Sequence, residues 1–330
     1  MKLSLADAER IVIDALLRNN VSAENARSVA TALVAAEAAG QGGHGLRRVL
    51  AYAQQARAGK VNGDAVPVAS RPFPAALRID AGDGYAYPAL DLAVALLPDI
   101  ARTQGIALAA IHHSHHAGVM GLTVERFAEQ GLVALMAANA PAAMAAWGGK
   151  QPLYGTNPIA FAAPVAGDAP IVIDLALSKV ARGKIMAARQ KNVPIPDDWA
   201  FDCDGVPTTD AQAALNGTMV PAGGPKGAAL ALMVEIMAAG LTGGNLSTGA
   251  SSLFDDQGPP PGLGHMIIAI NPQVSGADHM ADRLAGLAAL LLSEDGVRLP
   301  GRRGQTARSD AGINGIEVEE DVLAAIRALD

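Results

Sequence analysis

An α/β or α+β fold is predicted by three observations. Helical patterns fill the chain as far as Ala58, short apolar runs alternate with helices from Leu77 onward, and loop residues cluster at the ends of the strand-like runs. At 330 residues the chain exceeds the usual size of a single core, so two packed lobes are expected.

Residues 3–19 place Leu5, Ala8, Ile11, Val12, Leu16 and Leu17 on one helical face, and residues 24–39 form an alanine-rich helix ending near Gly40. A third helix runs through about Ala58. Residues 59–74 are rich in Gly and Pro and read as a connection. LRID, IALAAIHH, LVALMAAN, IAFAAP, IVIDL and MIIAIN then read as strands, and residues 87–104, 119–130, 180–191, 226–240 and 277–292 as helices. Residues 243–264, with Ser-Ser, Asp-Asp and a run of prolines, suit an ordered loop or flap. The last thirty residues return to a polar loop, LPGRRGQ, and a short helix at 318–328.

A net charge of −7, a pI near 5.5 and 3% aromatic residues argue against a nucleic-acid surface, which needs basic patches and stacking platforms. The chain has no apolar run of the roughly 18 residues that a membrane span requires. Its start lacks a basic segment followed by an apolar stretch, so a cytoplasmic protein is expected. The one cysteine, Cys203, lies between two aspartates that oppose a thiolate, and it suits a reducing compartment.

The densest chemical signal is four histidines, His112, His113, His115 and His116, directly after the strand-like IALAAI. Histidine takes and returns protons near neutral pH, and a strand end is a usual place for a catalytic base. A metal-dependent hydrolase built on this cluster is the remote rival reading, but no HExxH or CxxC partner accompanies it. In GGHGLRR, glycines flank His44, and arginines Arg47 and Arg48 follow that can grip a carboxylate. WGGKQPLYGTNPIAFAAP and IVIDLALSKVARGK offer amides and hydroxyls suited to ribose and phosphate oxygens. PAGGPKG opens a long apolar helix, an anion-binding pattern. Neither GxGxxG after a strand nor GxxxxGK[ST] occurs, so any nucleotide binds by another design.

Together these segments resemble the type 2 malate/L-lactate dehydrogenase family, which also holds sulfolactate and ureidoglycolate dehydrogenases and cyclic-imine reductases. The likeness runs through HGLRR at 44–48, SHHAG at 114–118, WGGK and GTNPIAF at 147–161, DLALSKVARGK at 174–184, GGPKG at 223–227, LTGGN at 241–245 and LPG at 299–301. It is greatest to the sulfolactate branch. The resemblance implies a non-Rossmann mixed sheet with a helical lobe of residues 1–74, joined by 300–330, and a nucleotide- and substrate-binding lobe of 75–299. It implies a homodimer, NADP or NAD as cofactor with NADPH slightly favoured, and a small 2-oxo or 2-hydroxy acid as substrate. A cyclic-imine reductase is the alternative.

Carried over by position, the resemblance makes His116 the general acid/base with His44 beside it, and Arg48 and Arg47 the substrate contacts. Ser114, Asn139, Thr156, Asn157, Asp174, Leu175, Ala176, Ser178, Lys226 and Gly227 become cofactor contacts, and no metal is implied. Gly43 stands where the family often has Ser, Leu177 where it has Thr, and Arg302 where it has Glu. Arg47, Lys179, Arg182 and Lys184 form a local excess of positive charge in an acidic protein, which leads to the expectation of a substrate with a second anionic group.

Overall fold

The computed structural model describes residues 1–276 and 279–329. Three helices open the chain: α1 (Leu5–Leu17), α2 (Ala23–Ala38) and α3 (Val49–Arg57). Serines start the first two, Ser4 Oγ accepting from the Asp7 amide at 3.1 Å and Ser22 Oγ from the Asn25 amide at 3.3 Å. A short strand, β1 (Lys2–Leu3), pairs antiparallel with β13 (Ile316–Glu317), so the two ends of the chain are tied together. α11 (Glu320–Arg327) then packs on α1 and α3.

A seven-stranded sheet forms the centre. Its order is β2 (Val68–Phe73), β3 (Ala76–Asp80), β4 (Ile106–Ser114), β12 (Leu263–Ile270), β5 (Val133–Ala138), β8 (Ile159–Val165) and β9 (Asp168–Leu175). Only β3 and β4 run parallel, joined by the crossover helix α4 (Ala86–Gln104), and every other pair is antiparallel. That makes the sheet mixed. The expected non-Rossmann α/β architecture is what the chain adopts. β12 carries LGHMIIAI and is buried along most of its length, as a central strand covered on both faces must be. α5 (Met120–Ala128) lies against β8 and β5, and α9 (Met280–Leu292) against β8.

A smaller four-stranded sheet, β10 (Ala200–Phe201), β11 (Thr218–Met219), β6 (Met144–Ala145) and β7 (Pro152–Tyr154), sits with α6 (Arg182–Gln190) and α7 (Ala211–Asn216). Two buried apolar clusters result. One runs from the N-terminal helices through the central sheet to Leu329, and the other gathers Met144, Leu177, Ile185, Ala200, Met219 and Val234. α8 (Pro225–Glu235), which ends in a π-turn at Ile236–Gly240, belongs to the second cluster on its buried side. Its other side exposes Leu230, Leu232, Met233 and Ile236.

Several elements differ from the sequence expectation, among them the strands of the small sheet and α7. The polar stretch after Gly301 is the helix α10 (Arg302–Asn314), not a loop. RRGQTARSDAGIN has no apolar stripe, and the helix is held by polar bonds instead: Gln305 Nε2 donates to Glu125 at 2.7 Å and to Pro170 O at 2.9 Å, Arg308 pairs with Glu125, and Arg302 with Asp168. β2 arises inside the presumed connection, as an exposed edge strand that tolerates Pro72. The helix expected over 277–292 is present from Met280, and its first two residues, Ala277 and Asp278, lie outside the described residues.

A buried carboxylate locks three segments together beside the small sheet. Glu235 accepts from the Ser247 amide at 2.6 Å, the Ser247 hydroxyl at 2.6 Å and Asn157 Nδ2 at 2.8 Å. Ser247 Oγ in turn accepts from the Gly155 amide at 3.0 Å. Removing the carboxylate strands buried donors, so Glu235→Ala is expected to lower unfolding free energy by about 2–4 kcal/mol in a urea titration. A midpoint unchanged from the parent would show that the network contributes no stability.

Candidate active site

The loop between α2 and α3 is shaped by Glu37. Its carboxylate accepts from the Leu46 amide at 2.8 Å, and a Cβ on Gly45 would fall 2.2 Å from that oxygen, so a side chain there would displace the carboxylate. Burial pushes the Glu37 carboxyl above its usual range. Two single 3₁₀ turns, Gly42–His44 and Leu46–Arg48, then deliver His44 and Arg48 and lead into α3.

His44, on the loop between α2 and α3, meets His116, in the segment after β4. Their rings stack at 5.1 Å between centroids with 20° between planes, and His44 Nδ1 lies 3.2 Å from His116 Nε2. His116 Nδ1 is 2.7 Å from the hydroxyl of Tyr52, which lies one turn after Arg48 on α3 and is fully buried. The Tyr52 hydroxyl is also 3.3 Å from that of Tyr87, and Tyr85 donates to Tyr52 O at 2.9 Å. Three of the chain's four tyrosines therefore gather behind His116. Gly118 of SHHAG has φ +65°, and a Cβ there would sit 2.5 Å from the Tyr87 hydroxyl, so the motif's glycine lets the tyrosine approach.

These contacts assign the protons. Burial raises the Tyr52 phenol above its usual range, so it stays protonated; with the Tyr87 hydroxyl donating to Tyr52, we assign the Tyr52 proton to the short bond to His116 Nδ1. His116 then donates from Nε2 to His44 Nδ1, which leaves a proton on His44 Nε2. Both nitrogens of His116 are engaged, whereas His44 Nε2 is the open end of the relay.

Burial, and after it the charge of Arg48, lowers the His44 pKa to about 4 and holds His116 well below its usual value, so both are neutral at pH 7. Arg48 donates from Nε to Gly43 O at 3.0 Å and stacks its guanidinium 4.6 Å from the Phe254 ring centroid. Its remaining donors meet no acceptor among the described residues, as a carboxylate grip requires. Phe254 is set by Lys60, whose buried ammonium donates to Ser252 O at 2.7 Å, Asp255 O at 3.0 Å and Gln257 O at 2.6 Å.

The other candidates are distributed differently. Arg47 turns to Glu319 of the C-terminal segment. Lys179 pairs with Asp198, Arg182 donates to Leu215 O at 3.3 Å, and Lys184 lies 6.0 Å from the Trp199 ring centroid. Arg47 and Lys179 are thus neutralised by carboxylates inside the chain, whereas Arg182 and Lys184 meet only a carbonyl and a ring, so the charge argument for a second anionic group on the substrate is weakened. Ser114 is buried with its hydroxyl 2.9 Å from His265 Nε2, and Asn139 spends its amide on Asn245 O at 2.8 Å and the Gly264 amide at 3.0 Å. Asn157, at φ +38°, points into the Glu235 network. Thr156 receives the Leu177 amide on its carbonyl at 2.8 Å, and Ser178 donates to Val180 O at 2.7 Å. Leu175 and Lys226 are exposed, Ala176 is half-buried, and Gly227 is buried against Ala222.

Asp174 lines a cleft of about 190 Å³ with Gln41, Gly121, Gly301, Arg303 and Gln305. It accepts from the Gly121 amide at 2.7 Å, and partial desolvation in the cleft, outweighing that hydrogen bond, raises its pKa to about 6 although its surface still meets solvent. α10 enters this cleft with Gly301 in the left-handed conformation and no side-chain cap, so amide donors are available, and Arg303 has no partner among the described residues. Tyr52, Tyr87, Phe254, Lys60 and Arg303 were not found by sequence reasoning. Only Tyr52 carried a signal, its helical spacing from Arg48.

A histidine relay beside an arginine with free donors can move a proton and hold a small anion. A family model described as malate/L-lactate dehydrogenase matches residues 3–327, and the chain belongs to that family and is an oxidoreductase. It is 47% identical over 99% of its length, and 97% of the relative's, to a (2R)-3-sulfolactate dehydrogenase (NADP(+)) of Chromohalobacter salexigens. It is 38% identical over 100% of its length, and 97% of the relative's, to a Δ1-pyrroline-2-carboxylate reductase of Ancylobacter novellus. Among solved structures, Δ1-piperideine-2-carboxylate reductase from Pseudomonas syringae pvar. tomato superposes with a TM-score of 0.94 at 38% identity, with 100% of both chains covered.

Tyr52→Phe removes one hydroxyl from behind the relay and leaves the aromatic packing. It is expected to lower kcat about 10-fold with little change in KM, since the loss falls on proton transfer and not on binding. Steady-state kinetics showing a raised KM at full kcat would place Tyr52 in binding instead.

Proposed function

We propose that this oxidoreductase transfers hydride between NADP(H) and the α-carbon of a small 2-oxo or 2-hydroxy acid, of the sulfolactate, malate or lactate type. The observation that carries the reading is the open Nε2 of His44, backed by His116 and set beside the free donors of Arg48. Arg48 holds the α-carboxylate through two parallel hydrogen bonds, and His44 Nε2 faces the oxygen of the reacting carbonyl. His116 and Tyr52 keep the proton of His44 at that atom. For oxidation the relay reverses its sense, His44 donating from Nδ1 to His116 and His116 from Nδ1 to Tyr52, so that His44 Nε2 presents a lone pair that accepts the hydroxyl proton; in reduction His44 Nε2 returns that proton. The nicotinamide, when bound, supplies or takes the hydride, so the chain contributes positioning and proton transfer.

The cleft at Asp174 supports a nicotinamide dinucleotide. A carboxylate suits ribose hydroxyls, while Arg303 and the first amides of α10 suit phosphate. NADP is favoured, in line with the cofactor in the name of the 47%-identical relative. Sulfopyruvate leads the candidate substrates on the same likeness. The exposed apolar side of α8 supports a homodimer, and the lone exposed Cys203 suits the cytoplasm.

A second reading, reduction of cyclic imines such as Δ1-piperideine-2-carboxylate, is favoured by the 0.94 superposition. Against it stands Gly43, which offers no hydroxyl beside His44. With NADPH, kcat/KM for sulfopyruvate is expected to exceed that for pyruvate by roughly 10- to 150-fold, the scale of one charge-assisted contact of about 1.5–3 kcal/mol. A clear preference for the cyclic imine in the same assay would establish the second reading. His116→Ala is expected to cut kcat by about 10²-fold or more with cofactor affinity kept. Near-normal turnover would remove His116 from the chemistry.

Charge coupling gives a pH signature. A carboxylate on Arg48 cancels part of the charge that depresses His44 and His116, so their pKa values rise when substrate binds. The oxidation reaction needs the neutral relay and therefore loses rate on the acid side. Its acid limb is expected at higher pH in kcat than in kcat/KM. Coincident limbs would mean that Arg48 does not meet the carboxylate.

A further inference from the structure

The four clustered histidines divide at the end of β4. His115 and His116 face Tyr52, while His112 and His113 turn to Asp80 at the end of β3. The division has a local cause: the register of β4 against β12 shifts between Leu263 and His265, and His113 takes φ +48° there. Asp80 Oδ1 lies 3.0 Å from His113 Nδ1 and Asp80 Oδ2 lies 3.7 Å from His112 Nε2. The Gly82 amide fixes the carboxylate by donating to Oδ1 at 2.9 Å. One ligand atom from each of the three residues lies within 4.8 Å of the others.

We propose that Asp80, His112 and His113 form a binding site for a divalent first-row cation such as zinc or nickel, separate from the catalytic relay. Two imidazole nitrogens and a carboxylate oxygen are a donor set for such ions, and water completes four-coordination. Tetrahedral ligands at about 2.0–2.2 Å from zinc stand roughly 3.4 Å apart, between the 3.0 and 3.7 Å found at Asp80. His112 is already in the required tautomer. Arg78 Nη2 lies 3.3 Å from its Nε2, and arginine only donates, so that nitrogen carries a lone pair. Arg78 is therefore the cation's competitor, and its exposed side chain must swing aside. The Nδ1 proton that His113 shares with Asp80 is released to solvent on binding.

The site clasps β3 to β4 where the Ala81 amide donates to His112 O at 3.0 Å and the Asp83 amide to His113 O at 2.9 Å. The same segment leads into Tyr85 and Tyr87. A cation there stabilises the scaffold of the relay and takes no part in hydride transfer. No hydrogen bond or ring contact joins the three ligands to His44, Tyr52 or His116 among the described residues.

Equilibrium dialysis of the chelator-treated full chain against Zn²⁺, with thermal unfolding in parallel, tests the proposal. One equivalent of Zn²⁺ is expected to bind and to raise Tm in the parent and in His44→Ala. Asp80→Asn and His113→Asn, the latter keeping a residue that tolerates the left-handed backbone, are expected to weaken binding at least ~10-fold and to abolish the Tm rise. Arg78→Ala is expected to tighten binding. Absence of stoichiometric binding, binding unaffected by Asp80→Asn and His113→Asn, or binding lost in His44→Ala would each overturn the proposal, the last by placing the ion on the relay.

Discussion

The hydrogen bond between the Tyr52 hydroxyl and His116 Nδ1, at 2.7 Å, is the point on which the site turns. Tyr52 belongs to a helix of the N-terminal segment, whereas His116 follows the strand end of the central sheet. The bond spans the two and sets the tautomer of everything beyond it. With the phenol donating its proton to the lone pair of Nδ1, the proton of His116 sits on Nε2 and is donated to His44, and His44 is left with a proton at its free nitrogen. Without that direction the two stacked imidazoles would have no preferred sense. Packing supports it, because Gly118 admits the Tyr87 hydroxyl and Tyr85 holds the backbone of Tyr52.

Arg48 carries the second constraint. A guanidinium beside two poorly solvated imidazoles disfavours their charged forms, so the free enzyme holds a neutral relay and a cation waiting for an anion. Phe254 on its face and the Gly43 carbonyl on its edge fix its direction, and the loop bearing Phe254 is tied down by Lys60. Two other basic side chains of the motif loops are neutralised locally, Arg47 by Glu319 and Lys179 by Asp198. Charge counted along a sequence says where cations are, and only the folded chain says which of them are spent.

Periodicity exposed the strands and helices whose stability comes from apolar burial, among them β4, β5, β12, α2 and α8. It missed elements held by other means. α10 is built from a polar sequence anchored through Gln305, Arg302 and Arg308, and the strands of the small sheet are too short to show a period. His44, His116 and Arg48 were legible because their motifs are dense in reactive side chains and glycine. Their alignment was not, since it depends on Tyr52, whose hydroxyl looks like any core tyrosine until the helix is docked. Several expected cofactor contacts, Ser114, Asn139 and Asn157, have side chains bonded within the protein, a commitment that only the folded chain reveals.

Nitrogen-15 NMR of the histidine rings reads the central claim directly, by titrating selectively labelled enzyme in the absence of substrate. His44 and His116 are expected to be neutral at pH 7, both with the proton on Nε2, and His44 to protonate only near pH 4. An imidazolium at either residue at pH 7, or a His116 ring protonated at Nδ1, would contradict the relay.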